Sequence, residues 1–142
     1  MLITKNNQFY HIEDRKNKAI LIGKIKNSVN ELEKLAITAN INVLAKLLHS
    51  KEKIDAAYYI GTGKLKELDN AIKHLSANLV IFDHELTPAQ QRNLEEDLET
   101  EVIDRTQLIL NIFSQHAHTK ESKLQVEKAQ LEYLLPRLTG KG

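Results

Sequence analysis

Gly61-Thr62-Gly63-Lys64 places two glycines and a lysine at a predicted helix start, where free N–H groups and the helix dipole attract anions. This segment does not meet the nucleotide-loop pattern G-x-x-x-x-G-K-[ST]. Tyr58 stands where the first glycine belongs, and Leu65 supplies no hydroxyl for magnesium. The preferred interpretation is therefore a structural turn, with Lys64 kept as a candidate contact for an RNA phosphate.

Two further segments carry side chains suited to metal binding or proton transfer. Asp83, His84 and Glu85 directly follow an apolar run, the position where α/β sheets usually hold ligands. Because no second cluster with ligand spacing accompanies them, solvated loop charges are the preferred interpretation. His116 and His118 are two residues apart and do not share a helix face, so we interpret them as loop histidines or RNA contacts. The sequence singles out no Ser/His/Asp set, and catalysis within this chain is not expected.

The elements that position these segments follow from alternating apolar runs and helix signals. A capping box at Ser28 and Glu31 predicts one helix start, and Thr87-Pro88-Ala89-Gln90 predicts another. The expected strands are 19–23, 41–48, 78–82 and 102–103, with a weaker one at 9–12; the expected helices are 29–39, 65–75 and one from residue 88. This alternation predicts an α/β fold with a small parallel sheet and flanking helices.

The region after residue 104 reads differently, as two helices joined by a polar segment. Asp104 is a suitable N-cap for the first helix, whose apolar face would carry Leu108, Ile109, Ile112 and Phe113. A second helix is expected from about Lys123, with an apolar stripe of Leu124, Leu131, Leu135 and Leu138 that Val126, Tyr133 and Leu134 widen. Two such helices bury most apolar surface by folding back, which predicts a C-terminal antiparallel helical hairpin.

The nearly neutral total charge hides a difference between these two regions. Residues 105–142 hold six Lys/Arg and three Glu, whereas residues 1–104 hold fourteen basic and sixteen acidic side chains. A basic hairpin suits phosphate backbones, although solvated helix faces explain the same charges. The predicted organisation is an α/β lobe at 1–104 with a weakly patterned segment 1–17, a hairpin at 105–139, and the start of a connection at 140–142.

Composition narrows the class of protein further. A chain of 142 residues suits one domain or a domain with an appendage, and its lack of Cys excludes thiolate metal sites and Cys nucleophiles. Neither a signal peptide nor a membrane span is evident, so we expect a soluble, cytoplasmic protein. With 5% aromatic residues and no Trp, platforms for stacking single-stranded bases are poorly supplied.

From about residue 19 to its end, the chain resembles the N-terminal domain of the HflX family of ribosome-associated GTPases, which are P-loop proteins. The matching blocks are 59–64, 79–83, 85–86, 88–95, 102–106, 108–110, 112–113, 123–127, 129–131 and 133–140. Two positions depart from the family pattern, since His116 replaces a common Arg and Ser122 a common Gly.

The resemblance implies a module that binds the large ribosomal subunit and its rRNA in proteins that split or rescue stalled ribosomes. The hairpin loop would reach toward the peptidyl-transferase region. GTP, magnesium and GTP hydrolysis are implied for a GTPase domain that this chain lacks and that would be a further partner. The candidate RNA contacts are Arg105, His116, His118, Thr119, Lys120, Ser122, Lys123, Lys64 and Arg92. The alternatives are a domain that restrains the GTPase domain, or a nucleotide-binding α/β lobe.

Overall fold

The computed structural model describes residues 17–49 and 54–138, which alternate between strands and helices before ending in two consecutive helices. The strands are β1 (Lys18–Gly23), β2 (Asn42–Leu48), β3 (Leu79–Phe82) and β4 (Glu101–Asp104). The helices are α1 (Lys26–Thr38), α2 (Thr62–Leu75), α3 (Pro88–Leu98), α4 (Arg105–His116) and α5 (Lys120–Leu138). The strand predicted at 9–12 and the connection at 140–142 lie outside the described residues.

The four strands form one parallel sheet in the order β2-β1-β3-β4. Ala19 of β1 is opposite Leu79 of β3, which is in turn opposite Glu101 of β4. All four residues of β3 are buried, as are all residues of β1 except Lys18, because both strands are covered on both faces. The predicted α/β fold with a parallel sheet is confirmed.

Alternate residues of the central strands point into two separate apolar cores. Ile20, Ile22, Val80 and Phe82 pack against α2 and α3 on one face of the sheet. On the other face, α1 and α4 cover the sheet, and Leu108 of α4 is fully buried there beside Ala19 and Leu21. The first half of α4 therefore belongs to the core that covers the sheet, while α5 packs on α4 from outside.

Two predicted helix starts are confirmed, and one is wrong. Thr87 and Gln90 form the reciprocal capping box of α3, and the Asp104 carboxylate accepts the N–H of Gln107 at the start of α4. The capping box at Ser28 does not form, because α1 begins earlier, after an extended Ile25. Ser28 lies inside the first turn, where its hydroxyl donates to the Asp83 carboxylate. Because Ser28 is helical and not extended, it cannot be the N-cap residue.

Helix α5 departs from prediction at its start. It begins at Lys120, three residues before the expected start at Lys123, because the hydroxyl of the N-cap Thr119 accepts the N–H of Ser122 at 3.0 Å.

In the predicted apolar stripe of α5, Tyr133 is buried as expected, but the four leucines do not face α4. Leu124, Leu131, Leu135 and Leu138 are 56%, 52%, 53% and 76% exposed, whereas Tyr133 is buried. Phe113 of α4, expected on the inner face, is also exposed. The polar ends of Tyr133 and Arg137 find their partners at the sheet edge, and those bonds fix the rotation of α5 about its axis. The leucines are consequently turned toward solvent.

Candidate nucleic-acid interface

The end of the helix pair formed by α4 and α5 is open to solvent, since no residue between Phe113 and Lys128 is buried. His116, His118, Lys120 and Lys123 all lie in this segment and are exposed. The His116 ring donates from Nδ1 to the carbonyl of Ile112 at 2.9 Å, because a carbonyl oxygen can only accept. We call residues 116–123 the hairpin end.

Lys120 and Lys123 of the hairpin end differ from Lys64, another predicted RNA contact, in whether their charge is paired with a carboxylate. In the part of the chain that the structure describes, no carboxylate forms an ion pair with Lys120 or Lys123. Lys64, in contrast, lies 2.8 Å from Glu67 on the same helix. The two lysines of the hairpin end therefore present their full charge to an incoming anion.

Thr119 and Ser122, the two hydroxyl residues predicted to contact RNA, bond to each other. Each hydroxyl accepts the other residue's N–H, at 3.0 and 3.1 Å, and the two oxygens are 2.8 Å apart. This reciprocal cap orders the polar turn that carries the two lysines. The contribution of both side chains to the hairpin end is thus to hold its backbone.

The structure does not bring Lys64, Arg92 or Arg105 to the hairpin end. Lys64 lies in the first turn of α2, and Arg92 is exposed on α3. Gly61 caps α2 with extended backbone, and a Cβ on Gly61 or Gly63 would meet nothing within 4 Å. Neither glycine is therefore required by crowding.

Arg105 starts α4 and is held by the end of β3. Its guanidinium donates to the buried Asp83 carboxylate from Nε at 2.9 Å and from a terminal nitrogen at 2.5 Å, and it also reaches the Ser28 carbonyl at 3.1 Å. The interpretation of Asp83 as a solvated loop charge is wrong, whereas His84 and Glu85 are exposed. Arg105, directly after the end of β4, supplies the positive charge that the buried Asp83 carboxylate requires.

A second buried carboxylate, Asp104 at the end of β4, holds the far end of α5. The Tyr133 hydroxyl donates to its Oδ1 at 2.6 Å, and an Arg137 nitrogen lies 3.8 Å from its Oδ2. The Arg137 guanidinium also stacks on the Tyr133 ring, 3.7 Å from its centroid. Burial, then the hydrogen bond to Asp104, raises the pKa of Tyr133, which keeps the phenol a donor.

Sequence reasoning did not identify Tyr133 and Arg137 as partners of the sheet edge. The available signal was an Asp after each of two neighbouring strands, because parallel strands bring their carboxyl ends to one edge. We call Asp104, Tyr133 and Arg137 the Asp104 cluster. Its side chains are engaged with one another, which suits a structural link and not a reaction centre.

The described residues hold neither a metal-ligand cluster nor a membrane-spanning helix. Within 17–49 and 54–138, no three His, Cys, Asp or Glu side chains are grouped as metal ligands. No helix in those ranges combines the length and apolar character needed to cross a bilayer.

Comparison with known proteins places the chain in a family. The family model described as GTP-binding GTPase N-terminal matches residues 26–114, and the model described as GTP-binding GTPase Middle Region matches residues 116–142. The GTPase HflX of Alkalihalophilus pseudofirmus is 49% identical over 119 residues, covering 84% of this chain and 28% of that protein. The GTPase HflX of Escherichia coli is 46% identical over 115 residues, covering 81% and 27%.

Solved structures agree with this match. A GTP-binding protein from Sulfolobus solfataricus in complex with GDP shares 29% identity with a TM-score of 0.70, covering 87% of this chain and 39% of that one. The complex of SsGBP with GDP gives 30% identity and a TM-score of 0.74, covering 88% and 37%. The chain spans between a quarter and a third of the length of the HflX relatives compared. It belongs to the HflX family of GTPases, whose N-terminal part it represents.

Proposed function

We propose that this chain is the ribosome-binding and rRNA-binding module of an HflX-type GTPase that splits or rescues stalled ribosomes in the cytoplasm. The observation that carries the proposal is the exposed hairpin end, where Lys120 and Lys123 form no ion pair within the described residues. Lysines of this kind attract phosphates, and binding releases the counterions condensed on RNA. The large ribosomal subunit is the proposed partner.

In this proposal, GTP and magnesium bind to the part of the family protein outside the matched region. Residues 61–64 are followed by Leu65, which has no hydroxyl to hold a magnesium ion. Among the described residues, the chain's own contribution is RNA binding through the hairpin end and a folded lobe that supports it. We keep Arg105, Lys64 and Arg92 as proposed RNA contacts that lie on the α/β lobe and not at the hairpin end.

The test is a double charge reversal, Lys120→Glu with Lys123→Glu, assayed by cosedimentation with purified large ribosomal subunits. Both side chains are exposed, so the fold should persist and the circular dichroism spectrum should not change. We expect the apparent affinity to fall by at least about tenfold, because two phosphate-binding charges become repulsive.

The matched control is Lys26→Glu with Lys34→Glu on α1, which changes the total charge equally at two other exposed lysines. If both double variants lose the same affinity, binding depends on total charge and not on the hairpin end. Unchanged binding of the Lys120 and Lys123 variant would refute the proposed interface.

A further inference from the structure

Asp104 joins three elements through one buried carboxylate, which is 1% exposed. Its Oδ1 accepts from the Gln107 N–H of α4 at 3.0 Å and from the Tyr133 hydroxyl of α5 at 2.6 Å. Its Oδ2 accepts from the Leu86 N–H, in the loop before α3, at 2.8 Å. A fully engaged buried carboxylate tolerates little displacement of its partners, because each lost bond leaves a buried polar group unpaired.

Arg137 extends the same network from α5 to the lobe. Its Nε donates to the Gln91 side chain of α3 at 2.9 Å, and one terminal nitrogen donates to the Leu86 carbonyl. A planar guanidinium with several fixed donors holds a helix in one orientation better than an apolar contact does. The carboxyl-terminal part of α5 is therefore fastened to the lobe by directional bonds.

The remainder of α5 is held less firmly. Tyr133 is the buried residue of this 19-residue helix. Near the turn, an open groove of about 300 Å³ lies between α4 and α5, lined in part by Ser114, Lys123 and Val126. The direction of α5 relative to the sheet thus depends chiefly on the Asp104 cluster.

The distance between this cluster and the hairpin end makes small rotations matter. Lys120 precedes Tyr133 by thirteen residues, which corresponds to about 20 Å along a helix. A tilt of about 10° at Tyr133 would move Lys120 by about 3.5 Å, more than the length of a hydrogen bond.

We propose that the Asp104 cluster sets the direction in which the helix pair presents its end, and that Tyr133 is the positioning residue. Its hydroxyl acts on ribosome binding at a distance, without contacting RNA. The effect of Tyr133 on ribosome binding rests on the proposed function. Its effect on the direction of α5 does not.

The absence of Cys in the sequence permits two spin labels to be placed without background. One label is placed at Glu121→Cys, near the hairpin end, and the other at Lys66→Cys on α2; both positions are exposed. Pulsed electron paramagnetic resonance then measures the distance distribution in the parent, in Tyr133→Phe and in Arg137→Lys. Tyr58→Phe is the matched control, since its half-buried ring packs against the core beneath α2 and α3 and Tyr58 is not a member of the Asp104 cluster.

We expect both variants of the cluster to broaden the distribution about twofold or more, while Tyr58→Phe leaves it unchanged. Tyr133→Phe keeps the ring and should keep the fold, as checked by circular dichroism. An unchanged distribution in both Tyr133→Phe and Arg137→Lys would overturn the proposal, whatever the ribosome assay shows.

Cosedimentation of the unlabelled variants tests the second consequence. If the parent chain binds the large subunit, Tyr133→Phe should weaken binding by about three- to tenfold, because the binding-competent direction of the helix pair becomes less populated. Equal affinity of Tyr133→Phe and Tyr58→Phe would overturn the positioning role. If the parent itself does not bind, the proposed function is refuted. The distance measurement still tests whether the Asp104 cluster sets the direction of α5.

Discussion

Gly23 and Asp83 show how closely neighbouring strand ends approach at the carboxyl edge of the sheet. A Cβ on Gly23 would lie 2.8 Å from the Asp83 Cβ and 2.7 Å from a methyl carbon of Val29. Glycine is therefore required here by crowding. The close approach of β1 and β3 also brings the Asp83 carboxylate within reach of Ser28 and Arg105. The lack of a side chain at Gly23 therefore also permits the hydrogen bonds that Ser28 and Arg105 donate to Asp83.

Gly23→Ala should destabilise the protein by about 1–3 kcal/mol, because β1, β3 and α1 would have to separate to admit the methyl group. Urea unfolding measures the difference. Gly63→Ala is the control, since that position has open space and lies in the first turn of α2. It should be neutral or stabilising, and an equal loss in both variants would contradict the crowding argument.

Glu95 provides a pH-dependent contribution to stability. Burial raises its pKa above the ordinary value of 4.5, and the nearby Glu101 adds to this, although a 3.0 Å bond from the Val102 N–H opposes it. The pKa is then higher in the folded state than in the unfolded state. The contribution of Glu95 to stability is complete below pH 4.5 and is lost as the pH rises through the folded-state pKa.

Glu95→Gln should therefore gain stability relative to the parent between pH 4 and pH 8, because glutamine does not titrate and still offers an oxygen to Val102. Urea unfolding at the two pH values gives the comparison. Glu96→Gln, on the exposed side of the same helix, controls for the loss of one negative charge. A stability difference between Glu95→Gln and parent that does not change with pH would exclude this mechanism.

At the scale of the element, α5 is oriented by its polar residues and not by its leucines. Tyr133 and Arg137 reach Asp104, Leu86 and Gln91, whereas the stripe from Leu124 to Leu138 remains exposed. Apolar periodicity placed both Tyr133 and the four leucines on the inner face, and it was wrong for the leucines because it ignores directional bonds from buried side chains.

Leu131→Gln with Leu135→Gln should cost less than about 0.5 kcal/mol per substitution, since both side chains are already half exposed. Leu108→Ala on α4 should cost about 2–5 kcal/mol, because that side chain is fully buried against the sheet. Thermal or urea unfolding ranks these variants. A loss from the double glutamine variant as large as that from Leu108→Ala would show that the stripe is packed.

The features predicted correctly from sequence were local ones. The capping residues of α3 and α4 act within three positions, and the buried strands are continuous apolar runs. The polar links were missed because they join distant positions: Arg105 bonds to Ser28, 77 residues away, and Tyr133 bonds to Asp104, 29 residues away. Local patterns in a single sequence do not specify which of several Asp and Arg residues will meet.

At the scale of the whole molecule, charge is distributed unevenly although the formal total is +1. The excess of basic side chains after residue 104 includes Lys120, Lys123 and Lys128, all of them exposed. The proposed ribosome binding should therefore behave as a localised electrostatic contact, with an affinity that depends on ionic strength.

Across a salt series, the logarithm of the affinity for large subunits should fall linearly with the logarithm of salt concentration. Lys123→Ala should reduce the magnitude of the slope by about one, because one phosphate contact is removed. Lys34→Ala on α1 should leave the slope unchanged. A salt-independent affinity in the parent would mean that apolar or hydrogen-bonded contacts govern binding.

The distribution of buried residues also sets an order for assembly during synthesis. Both apolar cores draw their buried members from residues up to Ile112, and α5 adds Tyr133. We expect the sheet and its covering helices to become stable while α5 is still being translated, leaving the Asp104 carboxylate hydrated. Docking of α5 then completes the fold, so the helix pair acquires its direction only after the rest of the domain is formed.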